Sequence, residues 1–224
     1  MILNRLLDFL FPPVCASCKK EGDFLCQECI SGFRIKKIQP LSKREGKVLP
    51  TEFHHLDGLI YALDYARNPQ ISAAIHQFKY RFTRELVNYF ADLMASKLGE
   101  LEMLQGKQLV LIPVPLHRKR LNQRGFNQAE LIANSIQGSV EVMPLLARIK
   151  NTAQQAKLSR MDRQKNLDSA FCLNFPYHFD HKNRIYFLVD DVCTTGATLE
   201  NCAKTLKLAG AKRVYGLVIA RAFK

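Results

Sequence analysis

The sequence predicts an α/β protein: a parallel sheet with helices on both faces, preceded by a small cysteine-bearing module. Short, almost wholly apolar runs at 59–65, 109–112, 185–189 and 214–220 alternate with segments of helical spacing. Unbroken apolar strands of this kind belong to parallel sheets buried on both sides. Four of the seven cysteines crowd between Cys15 and Cys29 and set the first part of the chain apart. A chain of 224 residues suits one full-sized domain with a small appendage, and it can bury a core without disulfide staples. The expected boundaries are 1–45 for the amphipathic start and cysteine module, and 46–224 for the larger domain.

In chain order, Ile2, Leu3, Leu6, Leu7 and Leu10 recur at helical spacing. Arg5 and Asp8 interrupt that run, and no small-residue cleavage site follows, so the start reads as a short amphipathic helix and not as a signal peptide. Such a helix packs on its own protein more often than on a membrane surface. No stretch reaches ~18 uninterrupted apolar residues, which excludes a transmembrane helix. The polar, Pro/Gly-containing run 41–51 is a linker. Aromatic and β-branched content makes 59–65 a strand. Helices follow at 71–78 and 85–98, the second with Leu86, Phe90, Leu93 and Met94 on one face. The strand beginning at Leu109 ends at Pro113 and Pro115, because proline cannot donate to a central ladder. A helix at 126–136, a strand at 185–189, a helix at 199–209 closed by Gly210 and a last strand at 214–220 complete the pattern.

The chain carries 33 Lys+Arg against 20 Asp+Glu, a net charge of +13 that calls for an anionic partner. Nucleic acid, a phosphorylated metabolite and an acidic membrane surface all qualify. Seven cysteines, an odd and unevenly placed set, argue against a secreted disulfide framework and for the reducing cytoplasm.

Cys15-x-x-Cys18 and Cys26-x-x-Cys29 are separated by seven residues. Two-residue spacing lets both sulfurs of a knuckle reach one ion, and two knuckles complete a closed tetrahedral Zn²⁺ shell. The expected role is structural: the ion holds a hairpin-like lobe too small to fold alone. A redox pair is disfavoured, since a thioredoxin-like motif uses a single Cys-x-x-Cys opening a helix.

The densest signal is Val189-Asp190-Asp191-Val192-Cys193-Thr194-Thr195-Gly196-Ala197-Thr198. An apolar strand leads into two acids, then a hydroxyl-rich turn around one glycine, then a helix. Backbone N–H groups in a tight turn and a helix N-terminus make an anion site, and threonine hydroxyls add donors. Two carboxylates beside a phosphate would repel it unless they faced ribose hydroxyls or a Mg²⁺ bridging to a pyrophosphate. The chain has no G-x-x-x-x-G-K-[ST], so a Walker-type NTPase is set aside. The decapeptide resembles the phosphoribosyl-pyrophosphate motif of type I phosphoribosyltransferases. The resemblance implies that Asp190 and Asp191 are catalytic and hold the ribose hydroxyls, and that Thr194, Thr195, Gly196, Ala197 and Thr198 hold the 5′-phosphate. Cys193 reads as a small packed residue and not as a nucleophile.

A second constellation follows the prolines of the second strand. Arg118, Lys119, Arg120 and Arg124 form a basic elbow just before a helix, where guanidinium forks suit pyrophosphate or nucleic-acid phosphate. A third, residues 147–166, is a long polar and basic loop. Residues 114–165 hold ten Lys/Arg and three Asp/Glu, a net +7 and over half the total.

Together these segments resemble the ComF family, named for natural competence, across about residues 10–222. The resemblance rests on the two cysteine knuckles, Phe78-Lys79-Tyr80, Pro113-Val114-Pro115-Leu116 through Arg124-Gly125-Phe126-Asn127-Gln128, Arg148-x-x-x-Thr152-x-x-Gln155, Arg163-x-x-Asn166 and the decapeptide. It implies a zinc module followed by a type I phosphoribosyltransferase-like domain, and a cytoplasmic role in handling incoming single-stranded DNA. Phosphoribosyl pyrophosphate with Mg²⁺ is expected at the acidic motif, with Pro115, Arg118 and Arg124 adding contacts. DNA contacts are expected from Lys79, Arg118, Lys119, Arg120, Arg124, Arg148, Lys157, Arg160 and Arg163. Aromatic residues among these cations (Phe78, Tyr80, Phe82 and Phe126) are candidates for stacking bases, or for packing. Other competence proteins, a helicase and DNA-processing factors among them, are implied partners, and a peripheral position at the inner membrane stays open. The alternative is a metabolic phosphoribosyltransferase that makes a nucleotide from a free base and releases pyrophosphate.

Overall fold

The computed structural model describes residues 12–35, 53–80, 83–101, 104–150, 170–180 and 182–222. The amphipathic start, the linker and most of the long basic loop lie outside the described residues, and so do Phe82, Lys157, Arg160 and Arg163. Five strands form one sheet: β1 (Gly58–Asp64), β2 (Gln108–Pro113), β3 (Val140–Val142), β6 (Arg184–Cys193) and β7 (Val214–Arg221). Their order is β1-β7-β6-β2-β3, and each neighbouring pair is parallel. A separate antiparallel pair joins β4 (Leu146–Arg148) to β5 (Phe171–Leu173).

Period-two alternation divides the apolar strand residues between two faces. Ile185, Phe187 and Val189 of β6 face one cluster, with Leu217 and Ile219 of β7. This side is covered by α2 (Pro69–Tyr80), α3 (Arg84–Gly99) and α5 (Gln128–Ser135). The cysteine module packs into the same cluster through Cys15, Ala16, Leu25, Cys26 and Phe33. Tyr186 and Leu188 face the other cluster, with Val110, Ile112 and Val218. There α6 (Ala197–Leu208) covers the sheet with Leu199, Cys202, Ala203 and Leu206, beside Leu146 and Phe171 of the small pair. The parallel sheet covered on both faces is therefore as the sequence predicts.

Two local expectations are revised. The basic elbow is a helix, α4 (Arg118–Arg124), where the sequence suggested a turn. His117 caps its start by accepting from the Lys119 N–H, and Gly125, at φ 80°, ends it in the left-handed region. The next helix consequently begins at Gln128, not near Phe126, with Asn127 as its N-cap. The acidic pair also lies within the strand and not beyond its end at Val189, because β6 runs on through Cys193 with β7 as its partner.

The topology makes one crevice. From β6 the chain turns through α6 to β7, on one side. From β2 it turns through α4 and α5 to β3, on the other. Adjacent parallel strands whose connections diverge leave a gap outside their carboxyl ends, where open α/β sheets bind ligands. Pairing of β2 with β6 stops at Pro113↔Val189, so Asp190 and Asp191 are the first β6 residues beyond the end of β2.

Candidate functional site

The two aspartates stand in contrasting surroundings. Asp191 is buried at 6% exposure, and its Oδ2 lies 3.2 Å from Lys79 Nζ, at the end of α2. Asp190 accepts the Asp191 N–H at 2.8 Å. Burial, followed by the like charge of Asp191, pushes the Asp190 carboxyl up to about 7 against the pull of Lys79 and Arg148. Arg148, on β4 and half-buried over the Phe171 ring, is itself held below the usual arginine value by burial and then by the like charge of Arg120. Cations from α2 and β4 thus act on the aspartates at the end of β6, and Arg120 of α4 lies near enough to Arg148 to repel it. Lys79, expected among the DNA contacts, is directed into this crevice by its ion pair, and Arg148, also expected there, lies over Phe171 and pulls on Asp190 electrostatically.

Beyond Cys193 the chain turns through exposed Thr194 and Thr195 to Gly196, the N-cap of α6 at φ 75°. The glycine N-cap contributes no side-chain bond to the first-turn N–H groups. Thr195 Oγ1 accepts from Ala197 N–H at 3.4 Å. Donors and helix dipole therefore aim at the space above the turn. A Cβ built on Gly196 would overlap the half-buried ring of Phe53. The sequence suggested that this glycine lets a phosphate approach; here it also lets an aromatic ring approach from the strand-entry side. Cys193 is 2% exposed, and burial pushes its thiol up to about 12, which fits a packed residue.

Phe53 belongs to a strap tied down by Glu200, in the first turn of α6. Glu200 accepts from the backbone N–H groups of His54, His55 and Leu56 at 2.7, 2.8 and 3.1 Å, and its Oε1 lies 2.8 Å from His55 Nδ1. Burial pushes this carboxyl up, but the His55 ring and the three N–H groups outweigh it and hold it below its ordinary value. Sequence reasoning missed this latch, because an acid in the first turn of a helix is common without any tertiary partner. Its contacts lie some 145 residues away in the chain.

On the other wall, Val114 N–H donates to the Val189 carbonyl at 2.9 Å, which closes β2 against β6 just before half-buried Pro115. Asn127 Nδ2 donates to the Val114 carbonyl at 3.2 Å and so braces the elbow. Gln128, 2% exposed, accepts from Arg124 Nη1 at 3.0 Å and donates to the Lys79 carbonyl at 3.2 Å. One buried amide therefore joins the end of the basic helix to the end of α2. Arg118 and Lys119 are exposed on α4, while Arg120 and Arg124 are half-buried.

In the cysteine module, Cys15 and Cys29 sulfurs are 3.8 Å apart, and Cys18 and Cys26 sulfurs 3.6 Å. All four lie within 4.8 Å of one another and could hold a metal such as zinc. Tetrahedral Zn–S bonds of about 2.3 Å require S–S separations of about 3.8 Å, so the set fits that ion. The first knuckle is a hairpin: Val14 bridges Glu21, and Lys19 takes a φ of 68° to turn the chain after Cys18. Cys26 N-caps α1 (Gln27–Ser31), which carries Cys29. Burial pushes the Cys15 thiol up, but the N–H groups of Cys26, Cys18 and Ser17 bring it well below an ordinary thiol.

The chain is 34% identical over 224 aligned residues to competence protein F of Haemophilus influenzae, covering 94% of this chain and 85% of that protein. The chain belongs to the ComF family. Among other ComF-family relatives, it is 33% identical over 168 residues to the DNA utilization protein YhgH of Escherichia coli O157:H7, covering 73% of this chain and 71% of that one. The competence protein ComFC of Bacillus subtilis is 33% identical over 147 residues, 63% of this chain and 55% of that one. No family model matches. Among solved structures, a hypoxanthine phosphoribosyltransferase from Staphylococcus aureus aligns with 62% of this chain and 65% of its own at 12% identity, TM-score 0.36. A purine phosphoribosyltransferase from Pyrococcus horikoshii aligns with 62% and 75% at 20% identity, TM-score 0.32. Among the described residues no helix is long and apolar enough to cross a membrane.

Proposed function

We propose that this ComF-family protein handles incoming single-stranded DNA in the cytoplasm and binds phosphoribosyl pyrophosphate with Mg²⁺ in the crevice between β2 and β6. The observation that carries the reading is the meeting of Asp190, Asp191 and the threonine turn with the cations Lys79 of α2 and Arg148 of β4 at the divergence of the two connections. Acidic groups suit ribose hydroxyls, while the turn N–H groups and Thr194, Thr195 and Thr198 suit the 5′-phosphate. Lys79, Arg118, Arg120, Arg124 and Arg148 supply the positive charge for a pyrophosphate, with Pro115 shaping the wall. When bound, Mg²⁺ neutralises pyrophosphate charge that the protein cations share. Lys79 already pairs with Asp191, so this buried acid is neutralised before any ligand arrives.

The exposed cations Arg118 and Lys119, continued by Lys157, Arg160 and Arg163 of the basic loop, supply the backbone attraction for a single strand. The four cysteines hold a structural zinc, and the two-part division near residue 45 follows from that module. The family resemblance supports other competence proteins as partners. A labelled oligonucleotide titrated at rising salt tests the DNA reading: affinity that falls steeply with salt is expected, and no binding at low salt overturns it. Pyrophosphate release measured with free purines, free pyrimidines and DNA separates this reading from a metabolic phosphoribosyltransferase. Release with a free base favours the latter.

A further inference from the structure

The described aromatic residues among the cations, Phe78, Tyr80 and Phe126, do not share one environment. Phe78 is fully buried against Phe90, and half-buried Phe126 packs toward it. Tyr80, two residues on from Phe78, is 64% exposed. Its ring meets that of exposed His76, one helical turn earlier on α2, with centroids 4.8 Å apart. The Arg124 guanidinium lies over it, 5.6 Å from the centroid. Arg124 is in turn fixed by buried Gln128, which also holds the Lys79 carbonyl. Three flat, π-bearing groups thus form an ordered ledge at the surface, built into the same brace that joins α4 to α2.

Successive helical residues diverge by about 100°. Lys79 consequently turns into the crevice toward Asp191 while Tyr80 turns outward beside the basic helix. We infer that Tyr80, backed by His76 and Arg124, is the stacking platform for an unpaired nucleobase of single-stranded DNA. The inference rests on the DNA reading above and names the element that turns a generic phosphate attraction into a preference for single strands. Phosphates on the α4 cations place a base within reach of Tyr80, and only an unpaired base offers its face to such a ring. Charge complementarity selects the occupant, since a cation of α4, Arg124, lies over the ring itself.

The chain contains no tryptophan, so Tyr80→Trp introduces a single emitter on the ledge. Oligo-dT, an abasic oligonucleotide of equal length and a duplex are titrated into the full-length Tyr80→Trp variant at low salt, with emission and anisotropy followed together. Oligo-dT is expected to quench the emission, while the abasic strand binds without quenching. In the wild-type background, Tyr80→Ala is expected to weaken oligo-dT binding by about tenfold, to leave abasic-strand binding unchanged and to narrow the gap between single strand and duplex. Tyr80→Phe should retain wild-type affinity. If oligo-dT binds wild type and Tyr80→Ala equally, and binds Tyr80→Trp without quenching, the stacking assignment is wrong while the DNA reading stands. Failure of wild type to bind oligo-dT at all overturns both.

Discussion

At the scale of single residues, the crevice holds groups whose burial costs stability. Asp190 has its carboxyl raised by burial and by Asp191, so in the folded protein it keeps a proton that the unfolded chain has released. The linkage therefore runs against folding: stability falls as pH rises from the ordinary aspartate value of 3.8 toward about 7, and the full cost applies above that. Asp190→Asn is expected to stabilise the ligand-free protein at pH 8 and to change little at pH 3.5, as read from urea midpoints at constant slope. An equal gain at both values would contradict the assignment. Gly196 makes a second case. Alanine there meets left-handed backbone, costing about 1–2 kcal/mol, and displaces the Phe53 ring, costing about 1–3 kcal/mol more. In thermal unfolding, Phe53→Ala should relieve the second cost in the double variant and leave the first.

Much of this site was legible in the sequence because it is local. The aspartates, threonines and glycine lie within one decapeptide, and the four cations of α4 within seven residues. What stayed hidden is long-range: Lys79 meets Asp191, and Glu200 meets His55, only once the sheet has brought distant segments together. The aspartates read as lying just past the strand because the apolar run stops at Val189, yet pairing with β7 extends the strand through Cys193.

Elements show how the site is held. The strap before β1 is latched to α6 by Glu200, and Asp57 adds a bond to Lys207 at 2.7 Å and one from Val214 N–H at 2.6 Å. A carboxylate held below its ordinary value of 4.5 contributes stability that is fully present above that pH. That contribution is lost as pH falls through the lower, folded value. Glu200→Gln should therefore destabilise the protein at pH 7 and flatten the acid limb of its stability profile below pH 4.5. An acid limb identical to wild type would show that the latch contributes nothing. The cysteine module is the other element to test, and its packing on the main core would tie a bound metal to the fold. Purified protein is expected to carry about one zinc per chain by elemental analysis. Chelation should lower the unfolding midpoint without erasing the sheet's far-ultraviolet signal. Zinc-free protein of unchanged stability would contradict a structural ion. Helix α4 escaped sequence reading for a physical reason. Six polar residues around a single Leu121 carry no apolar periodicity, and none of the seven is buried.

For the whole molecule, the net charge of +13 becomes a question of distribution. The basic helix, Lys79 and Arg148 lie around one crevice, and the ledge at Tyr80 joins that crevice to the outer surface. The fold accounts for this concentration: diverging connections place the loops after β2 and β6 opposite each other, so acids and cations distant in sequence share one opening. Under the proposed function, small-ligand binding and strand binding would draw on overlapping cations, so each is expected to affect the other. The most direct test is calorimetric titration of phosphoribosyl pyrophosphate with Mg²⁺ into the full-length protein and its Asp190→Ala/Asp191→Ala variant, with and without single-stranded DNA. The account requires saturable binding by wild type, altered by DNA, and none by a variant that still unfolds cooperatively and keeps its zinc. Undiminished affinity in the variant, or no binding by wild type, would contradict it.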